Sequence, residues 1–348
     1  MVRTFGPDAP EAVFAFLDDT VSRRGREHWC WKYRTKDASA PPSAFYWQEE
    51  DGSVLGFIGL MRTALQTSSG EHAAAWFVDW HVRPGAKGVG VGIGLLRKAE
   101  AAAGILLTLQ GSADTQKILP KLGWKQSFAP VTWLRPLSGR FLTAWIAERA
   151  GGASSTKTRL GRASGVVGLF AMPYLRCAHP AVPAGVALVN VDRVPGEYDR
   201  VWQARASELG AAMRRDSDYL NYLCADYPGR GYRIQLLRVG SDVCGHLITR
   251  VADDKSGLRR GRIVDLLWPA SRPELAGWLV RTASADLQQS GADYVECLVS
   301  TPVLRAALAG SRFRARRPVP IWYHRMAAEV PHPDTWHISL LDCDRAYR

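Results

Sequence analysis

The stretch Val82–Leu96, VRPGAKGVGVGIGLL, decides how the chain is read. The apolar run AAAWFVDWHV (73–82) before it predicts a strand, and the helix formers with an apolar face from Ile93 to Ala103 predict a helix after it. Gly88, Gly90 and Gly92 therefore occupy a strand-to-helix turn. Glycine there permits positive φ and close backbone approach. A helix start also presents N–H groups without intrahelical partners and a positive dipole end, which together suit a phosphate. Lys87 adds a point charge beside that turn. No Gly-Lys-Ser/Thr follows, so this is not a Walker phosphate loop. No acidic residue ends a next strand about 20 residues on, as a dinucleotide fingerprint requires.

The succession Val82-x-Pro84, then Lys87, Gly90 and Gly92, resembles the acetyl-CoA motif of the GCN5-related N-acetyltransferases. That family's pattern is Arg/Gln-x-x-Gly-x-Gly/Ala, usually after Val-x-Pro, with Lys87 here standing for the Arg or Gln. The flanking order fits as well. Residues 1–5 read as a strand and Pro10–Arg24 as an amphipathic helix through Val13, Phe14, Phe16, Leu17 and Val21. An aromatic segment, HWCWKYRTKD, follows, and then a hairpin turning at Asp51-Gly52. After the glycine turn come the buried strand ILLTLQ, a short helix Thr115–Leu122, and SFAPVTWLRPL as the last strand of this unit. Leu122-Gly123-Trp124 stands where the family commonly has Leu-Gly-Phe, and Trp31-Lys32-Tyr33 recurs in some bacterial members. The resemblance covers residues 1–137 and is strongest over 76–124.

The remainder reads as a second, diverged copy. Gly56 and Gly245, Asp79 and Asp265, Ile105 and Tyr294, and Trp124 and Phe313 pair at separations of 186 to 189 residues. The expected fold class is α/β, with two tandem acetyltransferase-like domains, each a twisted mixed sheet flanked by helices. The expected boundaries are 1–137 for the cofactor-binding domain, 138–185 for a connector containing GGASSTKTRLGRASG, and 186–348 for a degenerate copy. The second copy reads ASRPELAGWLV after Trp268-Pro269, with no glycine turn, so no phosphate cradle is expected there. The C-terminal WHISLLDCD, with Trp336, Asp342 and Asp344, packs back as a strand or lines a cleft.

What the resemblance implies is direct attack of an amine on the thioester of acetyl-CoA. Val82, Lys87, Gly88, Val89, Gly90, Val91 and Gly92 are the expected cofactor contacts. Asp79 and His81 lie two apart on the preceding strand, so in a regular strand their side chains share a face, which suits an acid–base pair. A bulge there could separate them. Asp79 is the first candidate for base, against a structural carboxylate, and the matching Asp265 favours the structural role. The family's usual acid is a Tyr four residues ahead of the Gly of Leu-Gly-Phe; Leu119 holds that place. Ser112 and Asp114 occupy a loop where members often carry a cofactor-touching Asn. Trp29, Trp31, Tyr33, Tyr46 and Trp47 could form an aromatic wall for a sugar or a ring.

Composition bounds the alternatives. The 348 residues carry 47% hydrophobic side chains and a net charge of +12, which favours a full core and an anionic ligand such as CoA, a nucleotide-sugar or an acidic glycan, with nucleic acid as the other candidate. The basic clusters Arg259-Arg260-Gly-Arg262 and Arg312–Arg317 read as solvated loops. Six cysteines show no C-x-x-C, so neither zinc nor a disulfide frame is expected, and no metal is assigned. No signal region or membrane-length run occurs, so a cytoplasmic location is expected. The expected function is acetyl-CoA-dependent acylation of a small amine, with an amino-sugar as one class and without nucleic acid or membrane as partner. The rivals are a non-catalytic acyl-CoA-binding module and a tandem transferase fed by aminoacyl-tRNA.

Overall fold

A computed structural model describes every residue except 35–40, 150–172, 230, 325, 327 and 348; the linker-like stretch 151–165 lies outside the described residues. The first half begins with strand β1 (Val2–Thr4) and helices α1 (Glu11–Thr20) and α2 (Gly25–Lys32). It continues through β2 (Ala44–Gln48), β3 (Val54–Thr67), β4 (Gly70–Val82), α3 (Val91–Ala102), β5 (Ile105–Leu109), β6 (Lys125–Ser127) and β7 (Val131–Pro136). The second half holds β8 (Val186–Val191), β9 (Ala211–Met213), β10 (Tyr232–Val239), β11 (Asp242–Asp253), β12 (Arg259–Leu267) and β13 (Tyr294–Val299). A helix, Glu274–Gln289, crosses from β12 to β13, and β14 (Arg314–Pro318) and β15 (Ile321–His324) follow. Asp51-Gly52 makes the β2–β3 turn, with Gly52 at φ 85° and Asp51 accepting from the Ser53 N–H at 2.8 Å.

The strands form two mixed sheets. The first runs β1-β2-β3-β4-β5-β15-β6, with β9 added beside β3, and the second runs β14-β7-β13-β12-β11-β10-β8. In each, two antiparallel strands lead to one parallel pair, β4–β5 and β12–β13. The halves exchange strands. Strand β7 leaves the first half and pairs with β13 and β14, whereas β15 leaves the second half and inserts between β5 and β6. The strand expected to close the first unit thus closes the second sheet, so the sheets do not divide at residue 137. Both strands are short, and nothing local in either names its partner.

Burial follows layers. Leu95, Leu96 and Ala99 of α3 pack on one face of the first sheet. Leu275, Leu279 and Ala283 of the 274–289 helix pack on the outer face of the second. Between the sheets lies the largest core, which joins Phe14 and Leu17 of α1 and Trp29 of α2 to Trp336, Ile338, Leu340, Leu341 and Tyr347 of the C-terminal segment. That segment packs back into the molecule, with an isolated bridge from His337 to Ala212.

Candidate functional site

The glycine turn is built as its residue types require. Gly88 and Gly90 have φ of 87° and 90°, in the left-handed region that disfavours a Cβ. A Cβ at either would meet nothing within 4 Å, so the backbone faces open space. Gly90 is the N-cap of α3 without a side-chain cap, and the first helical bond runs from Gly94 N–H to Gly90 C=O at 2.8 Å. The N–H groups of Val91, Gly92 and Ile93 therefore precede the helical ladder. Gly92 is close-packed: a Cβ would lie 3.2 Å from Val82 Cγ2. The Trp80 indole N–H donates to Gly92 C=O at 3.1 Å and ties the helix start to β4. Val91 is buried and Val89 is 72% exposed. Lys87 reaches Asp114 at 3.3 Å, an exposed pair.

Directly below the turn, β4 and β5 part. They pair only at Ala74–Ile105, Ala75–Leu106 and Trp76–Leu107, although β4 continues along β3 to Val82 and β5 continues along β15 to Leu109. The parting leaves a slot whose banks are the backbone edges of Phe77–Val82 and Thr108–Leu109.

A β-bulge sits on the β4 bank. Gly59 pairs with Val78 and Phe57 with His81, so Asp79 and Trp80 together oppose Ile58. Trp76 and Val78 point between the sheets, and Phe77, Trp80 and Val82 point towards α3. The extra residue is therefore Asp79, with φ 51°. Because the bulge adds Asp79 itself, Asp79 and His81 both face the layer between the sheets. His81 is partly exposed and Asp79 is buried.

Asp79 is held by partners that its strand does not announce. Lys32 Nζ lies 2.5 Å from Asp79 Oδ2 and 3.2 Å from Asp344 Oδ2, and the Tyr33 hydroxyl donates to the same Asp79 oxygen. All three charged side chains are at most 5% exposed. Lys32 and Tyr33 lie in the Trp-Lys-Tyr motif; their role needs the C-terminal segment beside them, and sequence reasoning missed it.

The second sheet repeats this plan. The β11–β12 register shifts beside Asp265, and Arg215 bridges Asp265 at 2.8 Å to Asp342 at 2.6 Å. Burial would raise the Asp265 carboxyl, but the Arg215 guanidinium and the hydrogen bond from His246, with His337 close by, hold it well below the usual carboxylate range. The β12–β13 pairing ends at Ile263–Cys297, leaving a matching opening. Here the chain's own C-terminal segment bonds β12 on one side and Ser300, the residue just past β13, on the other. Leu341 N–H donates to Val264 C=O at 3.2 Å; Ser300 Oγ donates to Trp336 C=O at 2.5 Å and accepts from Ile338 N–H at 2.8 Å. At the head of this opening the helix starts after Pro273 with no glycine turn, and Arg272 bonds Glu274.

Other expected residues fall as follows. Leu119 is fully buried and offers no hydroxyl. Ser112 caps the helix Ala113–Ile118 by accepting from Thr115 N–H. The aromatic wall is a correction: Trp29, Trp31, Tyr33 and Tyr46 are core, and only Trp47 is half-exposed, its indole on Glu49. Arg259–Arg262 is likewise no solvated loop. It lies in β12, where Arg262 is buried and donates to Ala346 C=O at 3.0 Å. Arg314–Pro318 forms an exposed strand rather than a loop. No disulfide joins the six cysteines. Among the described residues no helix is long and apolar enough to cross a membrane, and no group of three or more metal-ligating side chains gathers.

No family model and no curated protein matches the sequence. Solved structures do match the fold. A GCN5-related N-acetyltransferase from Anabaena variabilis superposes with a TM-score of 0.59 at 14% identity, covering 92% of this chain and 72% of that one. Saccharomyces cerevisiae N-myristoyltransferase with bound myristoyl-CoA gives 0.61 at 9% identity, covering 93% and 82%. A GCN5-related N-acetyltransferase from Kribbella flavida gives 0.56 at 10% identity, covering 93% and 70%.

Proposed function

We propose, on the premise that this chain carries the GCN5-related N-acetyltransferase fold in tandem, that it is an acyl-CoA-dependent N-acyltransferase with acetyl-CoA as donor. The observation that carries this reading is the asymmetry of the two openings. In the first, β4 and β5 part beneath an uncapped, glycine-flanked helix start. The second is bonded across by the C-terminal segment. The residues fit the donor. The N–H groups of Gly88–Gly92, with Lys87, suit a pyrophosphate, and the β4 edge beyond the last β5 pair at Trp76–Leu107 suits an extended amide chain. When bound, the donor supplies an activated thioester carbonyl. Backbone N–H groups at the bulge would polarise its oxygen, as fixed dipoles do.

The acceptor in this reading is a small amine, amino-sugars being the first class to screen, reaching the carbonyl from the inter-sheet side. Asp79 and His81 face that side, and one of them takes the amine proton. His81, being partly exposed, is the better placed for exchange with solvent, whereas Asp79 is engaged by Lys32. Leu119 leaves no hydroxyl to protonate the leaving thiolate, so water or another residue does so. Turnover of acetyl-CoA against an amine panel tests the reading. Tight binding with no turnover on any amine would favour a non-catalytic acyl-CoA-binding module, which the buried Leu119 also supports. The intact glycine turn speaks against a donor of aminoacyl-tRNA type, which has no pyrophosphate to cradle.

A further inference from the structure

The C-terminal segment delivers one carboxylate to each bulge: Asp344 reaches Lys32 and, through it, Asp79, and Asp342 reaches Arg215 and, through it, Asp265. It is clamped from both halves. Arg24 donates to Tyr347 C=O at 3.1 Å, and Arg250 and Arg262 donate to Ala346 C=O at 2.6 and 3.0 Å. The two trios share a plan and differ in setting. The Arg215 trio stands beside the opening that the segment bonds across, and the Lys32 trio stands beside the parting of β4 and β5 under the glycine turn.

Asp79 is the extra residue of the β4 bulge and has a left-handed φ of 51°. A non-glycine residue holds such a conformation where its surroundings over-determine it. Lys32 and Tyr33 grip its carboxylate, and Asp344 grips Lys32 from the other side. The backbone they fix is the bank of the slot where the acyl carbonyl would lie.

We propose that Lys32 and Asp344 are positioning residues of the acyl-donor site: the buried chain Asp344–Lys32–Asp79 holds the β4 bulge so that its backbone N–H groups meet the acyl carbonyl oxygen. This rests on the acyl-CoA reading above. It makes the C-terminal segment part of the first half's site, although Lys32 and Asp344 stand 312 residues apart in sequence.

The test is calorimetry on the full chain with three probes: CoA, acetyl-CoA, and S-ethyl-CoA, the thioether that lacks only the carbonyl oxygen. The wild-type chain prefers acetyl-CoA to S-ethyl-CoA by about tenfold, the worth of one well-placed hydrogen bond. Asp344→Asn makes the trio neutral and keeps its shape. It loses that preference while binding CoA within about twofold of wild type. Asp344→Glu, which keeps the carboxylate, restores part of it. Tyr33→Phe removes one hydroxyl from the same grip and lowers the preference independently. Undiminished preference in Asp344→Asn and Tyr33→Phe overturns the inference. So does an equal loss for all three probes, which would mark a purely structural role. A wild-type chain that binds no CoA overturns the acyl-CoA reading, and this inference with it. A wild-type chain that binds CoA without discriminating the pair overturns the inference alone.

Discussion

Lys32 and Asp344 meet at 3.2 Å in the interior, one from the end of α2 and one from the C-terminal segment, with Asp79 on the other side of the ammonium. The trio carries two carboxylates against one cation, all desolvated. Removing the cation leaves two buried carboxylates without the ammonium between them, which costs roughly 3–5 kcal/mol. Lys32→Met should therefore shift the denaturant midpoint strongly downwards. Arg215→Met should do the same, because Arg215 is the only cation that bonds both Asp265 and Asp342 among the described residues. A change under about 0.5 kcal/mol in either, as at an ordinary surface position, would contradict a structural role for that trio.

Stability should fall in mild acid through His28. Burial, with Lys32 and Arg24 nearby, pushes its imidazole from 6.5 down to about 4, while Asp79 opposes the shift and Arg250 adds to it. Above pH 6.5 the ring is neutral in both folded and unfolded chains and contributes no pH dependence. Between 6.5 and 4 the unfolded chain binds a proton that the folded chain does not, so stability falls as pH falls. The expected loss between pH 7 and pH 5 is about 2 kcal/mol. His28→Phe should remove that share of the slope in chemical denaturation. An unchanged slope would show that His28 protonates freely in the folded chain.

The glycine turn makes a local prediction. Gly90→Ala forces a Cβ into the left-handed region at a cost of about 1–2 kcal/mol, and this should turn the helix-start N–H groups away. CoA affinity should drop about tenfold. Gly85→Ala is the control, since Gly85 has ordinary φ and open space at its Cβ position. Equal affinities for the two variants would disconnect the turn from the ligand.

How much of this the sequence carried depended on range. The turn was legible because Gly88 and Gly90 need positive φ and because a strand and a helix flank them. The repeat was legible through Asp79 and Asp265, which do both stand at bulges. The exchange of β7 and β15 was not, since each is a short strand whose neighbours are chosen by tertiary packing. The aromatic run of α2 was ambiguous for a related reason: Trp29 and Tyr33 serve a core or a ligand equally well until the opposite wall is known. The grip on Asp79 joins residues at opposite ends of the chain, beyond any local pattern.

Proton transfer separates the two strand candidates. If Asp79 or His81 is the base, its neutral isostere should lower kcat/KM by ~10²–10⁴. His81→Gln should also remove an ionisation from the pH–rate profile, with the melting temperature retained. Asp79→Asn should lower the melting temperature as well, because it weakens the bond to Lys32. A His81→Gln chain with wild-type rate and profile would exclude His81.

The central claim is that one of two like-built openings takes the donor. A calorimetric titration of the full chain with acetyl-CoA measures this directly. The account predicts one equivalent bound per chain, with Gly90→Ala weakening that single event and Asp265→Asn, beside the second opening, leaving its stoichiometry unchanged. Two equivalents per chain, or no binding at all, would contradict it.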